Sequence, residues 1–152
     1  MYIYIAAPLC SEAERAFNIK VNSFLEAKGI RTYLPQSDGG FLDEMVGRGL
    51  DEDQSRLVLF NNDLNAMNEC DTLLIILDGR TIDEGACFEL GYMYGQGKRC
   101  FGYKTDSRSY IRGRNNLMID GALERIISSL DELGNFVDQI IHVDRRHVPL
   151  GD

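Results

Sequence analysis

The sequence predicts an α/β fold in which a doubly wound parallel sheet is flanked by helices. Short apolar runs typical of buried strands alternate along the chain with longer segments of helical periodicity. One run, TLLIIL at 72–77, is continuously apolar, as expected of a central parallel strand that is covered on both faces. At 152 residues the chain has the length of one typical domain, and we expect residues 1–152 to form a single domain.

The N-terminal segment is predicted to form a strand, a helix and a second strand. The apolar run YIYIA at 2–6 is the first strand. Ser11 and Glu14 have the spacing of a capping box, so the first helix is expected to begin after Ser11 and to end near Gly29. IRTYLP at 30–35 follows as the second strand. A strand–helix–strand unit of this kind places two parallel strands in one sheet.

A loop and a second helix are predicted between the second strand and the central one. The loop opens with PQSDGG and runs to about Leu50, which is long for a compact domain and is typical of a lid or of a locally mobile segment. The helix covers 52–68. Its apolar residues are spaced for one buried face: Leu57, Phe60, Leu64 and Met67.

The chain after the central strand is predicted to continue the alternation. Thr81 and Glu84 again have the spacing of a capping box. The predicted elements are a helix at 83–96, a strand at 99–103, a polar basic loop at 104–115, a short strand or turn at 116–119, a helix at 120–134 and a strand at 140–143. The whole pattern favours a Rossmann-like or flavodoxin-like doubly wound sheet.

Composition and charge argue against several classes of function. The net charge of −8 disfavours a nucleic-acid polymer or an anionic membrane surface as the partner. No apolar run is long enough for a transmembrane helix, and the N-terminus lacks the basic region of a signal peptide. The four cysteines form no C-x-x-C pair, and both histidines lie near the C-terminus. We therefore expect free thiols in a reducing cytoplasm and no metal site.

The segment DEGACFELGY at 83–92 has an unusual set of carboxylates for a helix that otherwise suits burial. It follows the central strand, and ligands of doubly wound sheets bind beyond the carboxyl ends of the strands. On a helix Glu89 shares a face with Gly85 and Ala86, whose small side chains would leave a hollow beside the carboxylate. Glu89 is thus either a reactive group in a ligand site or a solvent-facing residue of an amphipathic helix.

Two further carboxylates have open interpretations. Asp63 lies beside the predicted buried stripe of the second helix, so it either points into the same crevice as Glu89 or belongs to a frayed or side-chain-capped turn. Asp83 either supplies negative charge at a helix N-terminus or faces the crevice as a hydrogen-bonding acid. Carboxyls crowded around one pocket suit glycosyl chemistry, since their pKa values are pushed apart and the groups take separate roles. Tyr4, on the first strand, is a candidate to orient such a nucleophile.

The chain resembles the nucleoside 2-deoxyribosyltransferase family over most of its length. The similar segments, in order, are YIYIAAP (2–8), NNDLNAM (61–67), CDTLLIILDG (70–79), DEGACFELGYMYGQGK (83–98) and NLM (116–118). The strongest is 83–98, which is similar to the family pattern Asp-x-Gly-x-x-x-Glu-Leu-Gly-Tyr. The resemblance implies a ping-pong exchange of the base of a 2′-deoxyribonucleoside with a free purine or pyrimidine base, with no metal or cofactor.

The resemblance also implies roles for individual residues. Glu89 matches the nucleophile that attacks C1′ and forms a covalent deoxyribosyl-enzyme. Asp63 and Asp83 match positions that contact the base and handle its proton, and Tyr4 matches the tyrosine that holds the nucleophile. Asn116 matches an asparagine that reaches the 5′-hydroxyl from a neighbouring subunit. That role implies a homo-oligomer built from dimers, often a hexamer in the family.

Three further residues are expected at the substrate site, and two other functions stay open. Gln36, just after the second strand, is a candidate contact for the base edge, and the small residues Ala7 and Gly85 are candidates to line the pocket. The first alternative function is a hydrolase that cleaves 2′-deoxynucleoside 5′-monophosphates, for which Ser11 and the arginines of the basic loop would bind the phosphate. The second is a non-catalytic nucleotide-binding module.

Overall fold

A computed structural model describes residues 1–108 and 114–146 of the chain. The strands are β1 (Tyr2–Ala6), β2 (Arg31–Tyr33), β3 (Thr72–Ile76), β4 (Arg99–Tyr103) and β5 (Arg125–Ile127). The helices are α1 (Glu12–Ala27), α2 (Leu42–Gly47), α3 (Glu52–Glu69), α4 (Glu84–Gly95), α5 (Leu117–Ala122) and α6 (Leu130–Arg146), with a π-helical turn at Pro35–Gly39. No helix in this part of the chain is both long and apolar enough to cross a membrane.

The five strands form one parallel sheet in the order β2-β1-β3-β4-β5, which confirms the predicted doubly wound α/β fold. This is the flavodoxin-like order, in which the chain changes direction between β1 and β3. β3 is buried over its whole length, as its continuously apolar sequence predicts. The carboxyl ends of β1 and β3 therefore meet at the point where such sheets bind their ligands.

The sheet has an apolar core on each face. One core joins the sheet to α1 and α6 through Val21, Leu25, Leu133 and Val137. The other joins it to α3 and α4 through Ala66, Met67, Ala86, Leu90 and Met93. Alternate residues of β1 belong to different cores, so Ile3 and Ile5 face α1 whereas Tyr4 and Ala6 face α3 and α4. The tyrosine of β1 thus lies on the same side of the sheet as α4.

Helix caps explain where α1 and α4 begin. Ser11 accepts a hydrogen bond from the Glu14 amide, and Glu14 accepts one from the Ser11 amide, which is the predicted capping box. The prediction of a second capping box at Thr81 was wrong. α4 is capped instead by Asp83, whose carboxylate accepts a 2.9 Å hydrogen bond from the Ala86 amide.

Two predictions for the segment 36–69 need correction. The long loop contains the π-helical turn and the short helix α2, which packs on α3. The predicted buried stripe of α3 is only partly buried, because Leu57 and Phe60 are 60% and 50% exposed whereas Met67 is 1% exposed. The apolar spacing correctly predicted a helix, but it could not show that only the C-terminal part of α3 packs against the sheet.

The predictions for the C-terminal segment were also wrong. The predicted helix at 120–134 is divided among α5, the edge strand β5 and the start of α6, and the predicted strand at 140–143 lies inside α6. β5 exists because it pairs with β4, in the register Tyr103 opposite Ile127, and buries Ile127. Such pairing joins distant segments and leaves a weak local signal in a three-residue strand.

Candidate active site

The centre of the site is a hydrogen bond between β1 and α4. The Tyr4 hydroxyl donates to Glu89 Oε1 at 2.6 Å. Tyr4 is fully buried and Glu89 is only partly exposed. The pleat of β1 turns Tyr4 toward α4, and the helix turns Glu89 back toward the sheet. The structure therefore brings together the predicted nucleophile and the tyrosine predicted to hold it.

A second tyrosine–carboxyl pair lies next to the first. Tyr33 of β2 is the register partner of Tyr4, and the two rings stack with centroids 5.4 Å apart. The Tyr33 hydroxyl donates a 3.0 Å hydrogen bond to Asp63 Oδ1 of α3. The sequence interpretation did not identify Tyr33. The sequence did show a tyrosine at the end of the second predicted strand. Its place next to Tyr4 could be recognised only once the pairing of the two strands was known.

Burial changes the acid–base properties of Glu89. Desolvation is the main cause that raises its pKa from 4.5 to about 8, and the negative charges of Asp63 and Asp83 add to the rise. The Tyr4 hydrogen bond acts in the opposite direction, because it stabilises the carboxylate. Glu89 is thus a carboxyl group that exchanges its proton near neutral pH, as acid–base or nucleophilic work requires.

The pKa values of the groups around Glu89 are raised as well. Burial raises the pKa of Asp63, and the hydrogen bond from Tyr33 partly offsets the rise. Burial is the main cause that raises the pKa of Tyr4 and of Tyr33, and the nearby carboxylates raise both further. Both hydroxyls therefore keep their protons and act as hydrogen-bond donors. The cluster therefore holds fewer negative charges than carboxyl groups near neutral pH. One carboxyl can carry a proton while another is ionised.

Asp83 takes the first of the two roles that the sequence left open, at the N-terminus of α4, and its role as an acid in the crevice stays a prediction. Its Oδ1 caps α4, and its charge is close enough to raise the pKa of Glu89. Gly85 lies beside it, and a Cβ at Gly85 would be 3.1 Å from Asp83 Oδ1. The absence of a side chain at Gly85 keeps the start of α4 open around the Asp83 carboxylate.

Asp63 also borders a cavity of about 410 Å³ beside the π-helical turn. The cavity is lined by Gly39, Phe41 and Leu59, by Cys10 from the segment after β1, and by Arg15 from α1. It is large enough for a planar base, and Asp63 would reach the polar edge of a ligand inside it. Cys10 is exposed, and no prediction had named Cys10 or Arg15 as site residues.

Gln36 and Ala7 lie close to this region but face protein groups. The Gln36 amide donates to the Arg15 carbonyl at 3.0 Å and accepts from Asn18 Nδ2 at 3.0 Å. Ala7 is buried at the carboxyl end of β1. Gln36 therefore joins the segment after β2 to α1, and its contact with a base edge stays a prediction.

Asn116 is on the other side of α4. Its side chain caps α5 by accepting from the Met118 amide at 2.9 Å, and it lines a cavity that also touches Cys87. Cys87 and Glu89 are two residues apart on α4, which turns their side chains about 200° away from each other. Within one chain, the structure does not bring Asn116 to the Glu89 cluster.

Metal ligands are not grouped in the described part of the chain. Residues 1–108 and 114–146 contain no set of three or more His, Cys, Asp or Glu side chains that could hold a metal ion. The four cysteines are free thiols, and Cys70 and Cys100 are buried. The cluster of Tyr4, Tyr33, Asp63, Asp83 and Glu89 consists of carboxyl and hydroxyl groups.

Solved structures share this fold. A 2-deoxyribosyltransferase from the psychrotolerant bacterium Bacillus psychrosaccharolyticus superposes with a TM-score of 0.73 at 23% identity, covering 89% of this chain and 91% of that one. A conserved protein from Enterococcus faecalis V583 gives 0.70 at 28% identity, covering 91% and 98%. The CMP N-glycosidase BcmB from Clostridium botulinum gives 0.57 at 18% identity, covering 91% and 99%. The comparison with curated protein sequences gave no significant match.

The family comparison agrees with the site. The model of the nucleoside 2-deoxyribosyltransferase family matches residues 3–144, which include α3, α4 and all of β1 after Tyr2, with the Tyr4, Asp63 and Glu89 side chains. Enzymes of this family are of the glycosyltransferase type and use nucleosides as substrates. The chain belongs to the nucleoside 2-deoxyribosyltransferase family.

Proposed function

We propose that this protein exchanges the base of 2′-deoxyribonucleosides through a covalent deoxyribosyl intermediate on Glu89. The observation that supports it most directly is the 2.6 Å hydrogen bond from Tyr4 to Glu89 in a cluster with Asp63 and Asp83. The buried Tyr4, whose pKa is raised mainly by desolvation, donates to one oxygen of Glu89 and leaves the other to attack. A deoxyribose suits this chemistry, since it lacks the 2′-hydroxyl that would destabilise positive charge at C1′.

The first half-reaction breaks the glycosidic bond. The Glu89 carboxylate forms a bond to C1′ while the C1′–N bond breaks and its electron pair leaves with the base. A neighbouring carboxyl group, Asp63 or Asp83, gives its proton to the leaving base. Asp63 is a candidate for this acid, because burial raises the pKa of its carboxyl group.

The second half-reaction reverses the first with a different base. A ring nitrogen of the incoming base attacks C1′, the ester bond to Glu89 breaks, and the proton of that nitrogen returns to the carboxyl that gave one up. Two inversions at C1′ restore the β configuration. In this scheme the cavity at Asp63 receives the base, Gln36 contacts the base edge, and Ala7 and Gly85 line the pocket.

We also propose that the site is completed by a second copy of the chain. Asn116 lies on the flank of α4 opposite Glu89, so it would reach a 5′-hydroxyl only in a neighbouring subunit. Its exposed position on α5 suits such a contact. The assembly would be a homo-oligomer built from dimers, with a hexamer as one such arrangement.

The second candidate is hydrolysis of 2′-deoxynucleoside 5′-monophosphates by the same carboxyl groups. Ser11, at the start of α1, and Arg108, after β4, line one cavity of about 480 Å³ and would contact the phosphate there, beside the acidic residues Glu14, Asp78 and Asp106 that share the lining. Water would then replace the incoming base in the second step. A non-catalytic nucleotide-binding module is the third candidate, and its ligand affinity would not depend on turnover at Glu89.

A chromatographic assay separates the three candidates. The protein is mixed with deoxyinosine or thymidine, with and without free adenine, and in parallel with deoxynucleoside monophosphates. We expect deoxyadenosine that appears only when adenine is present and is absent with Glu89→Ala. Base release without exchange, or only from monophosphates, would favour the hydrolase. Exchange retained by Glu89→Ala would refute the assignment of the nucleophile.

A further inference from the structure

Among the residues that the structure describes, the lining of a cavity of about 420 Å³ on the α5 side of α4 includes three cationic side chains and no carboxylate. Arg80 comes from the segment between β3 and α4, and Lys104 and Arg108 come from the segment after β4. The remaining wall is largely apolar and is formed by Leu77, Ile82, Met118 and Ile119. In a chain of net charge −8, this cavity is a local concentration of positive charge and is suited to an anion with an organic part.

The cations have donors available for a ligand. Arg80 is exposed and forms no hydrogen bond or ion pair with any residue that the structure describes. Arg108 pairs with Asp106 through Nε and Nη2, which leaves Nη1. Lys104 donates to Asn115 Oδ1 at 2.6 Å, and its ammonium group has two further N–H bonds.

A short chain of hydrogen bonds holds the lysine at the rim of the cavity. Asn115 accepts from Lys104 and donates to Asp120 Oδ1 at 2.8 Å, so its amide orientation is set from both sides. The polar groups at the rim are therefore almost all donors.

We propose that this cavity binds a phosphate monoester. A phosphate monoester carries close to two negative charges and three acceptor oxygens, which match the two guanidinium groups and the ammonium group better than a single carboxylate would. The apolar wall would contact the group esterified to the phosphate. Because the cavity is on the flank of α4 opposite Glu89, the site is separate from the reacting carboxyl groups of the same chain and does not rest on the proposed function.

Calorimetric titration of the Glu89→Ala protein tests the site without turnover. The probes are inorganic phosphate, 2′-deoxyadenosine 5′-monophosphate and deoxyadenosine. We expect saturable binding of a phosphate-bearing probe that Arg80→Ala and Lys104→Met each weaken by about tenfold or more, as loss of a charge-assisted hydrogen bond predicts. The control is Lys20→Ala, which removes an exposed cation of α1 outside the cavity and should leave the affinity unchanged.

The two phosphate probes identify the source of the phosphate. Binding of both shows that the phosphate group alone is recognised, and binding of the monophosphate alone shows that the nucleoside part is needed; each supports the site if Arg80→Ala weakens it. An excess of deoxyadenosine should not displace the monophosphate. Absence of saturable binding, unchanged affinity in Arg80→Ala and Lys104→Met, or displacement by deoxyadenosine would overturn the proposal.

Discussion

The Tyr4 hydroxyl donates a 2.6 Å hydrogen bond to Glu89 Oε1 across 85 positions of sequence. This contact links the first strand to the helix after the central strand. It also opposes the effect of burial, since the hydrogen bond lowers the pKa of Glu89 while desolvation raises it to about 8. Tyr4 therefore controls both the orientation of the proposed nucleophile and the pH at which it becomes ionised.

Replacement of Tyr4 by phenylalanine should slow base exchange with little effect on folding. A hydrogen bond to a charged group contributes about 1.5–3 kcal/mol, which corresponds to a decrease of roughly 10- to 100-fold in kcat. Steady-state kinetics of Tyr4→Phe would measure this. Tyr103→Phe is the matched control, because Tyr103 is also buried but belongs to the core on the other face of the sheet. Equal losses in both variants would contradict a specific role for Tyr4.

The pH dependence of base exchange should follow the raised pKa of Glu89. Attack requires the carboxylate, so kcat/KM should rise with pH up to about 8 and not level off near the ordinary value of 4.5. In Tyr4→Phe the group that lowers this pKa is gone, so the ascending limb should move to higher pH. Rates measured from pH 5 to 10 test this, and a profile already flat at pH 6 would exclude it.

The raised pKa also predicts how stability depends on pH. Between pH 4.5 and about 8 the folded state keeps a proton on Glu89 that the unfolded state has lost. The free energy of unfolding should therefore decrease as pH rises, by up to about 1.4 kcal/mol per unit from this group. Glu89→Gln should remove that part of the slope and be the more stable protein above pH 8. Urea titrations at several pH values measure the difference, and parallel slopes would contradict it.

Gly39 should be essential to the position of Asp63. A Cβ at Gly39 would be 3.0 Å from both Asp63 Oδ1 and Tyr33 Oη, so Gly39→Ala should displace this hydrogen-bonded pair. We expect kcat/KM to decrease by about tenfold, as for a lost hydrogen bond to a charged group. Gly47→Ala is the control, since nothing lies within 4 Å of its added Cβ. Similar kinetics for the two variants would contradict a catalytic role for the Tyr33–Asp63 pair.

Subunit mixing can test whether Asn116 acts in a neighbouring site. Asn116→Ala should remain folded, with a loss of about 1 kcal/mol from the α5 cap, and should lose activity. If Asn116 acts across the interface, unfolding and refolding it together with the inactive Glu89→Ala protein should restore roughly a quarter of the activity in a randomly mixed dimer. No recovery, or a fully active Asn116→Ala protein, would contradict the shared site.

The sequence was sufficient for those features that depend on local periodicity. The apolar run of β3, the capping box at Ser11 and the family segment around Glu89 predicted the α/β order and the helix that carries Glu89, the proposed nucleophile. Where the local pattern was ambiguous, prediction failed. The apolar residues at 140–143 lie on a helix, and the edge strand β5 has too few residues to show an alternation.

For the candidate active site, too, some features follow from the sequence and others only from the tertiary structure. The sequence by itself determined which residue types were present, that Tyr4 belonged to the first strand, and that Glu89 belonged to the helix that follows the central strand. Only the tertiary structure decided that Tyr33 pairs with Asp63, that Asn116 lies on the opposite flank of α4, and that the pKa of Glu89 is raised to about 8. Local periodicity is encoded by neighbouring residues, whereas desolvation and hydrogen bonding depend on distances between segments that only folding brings together.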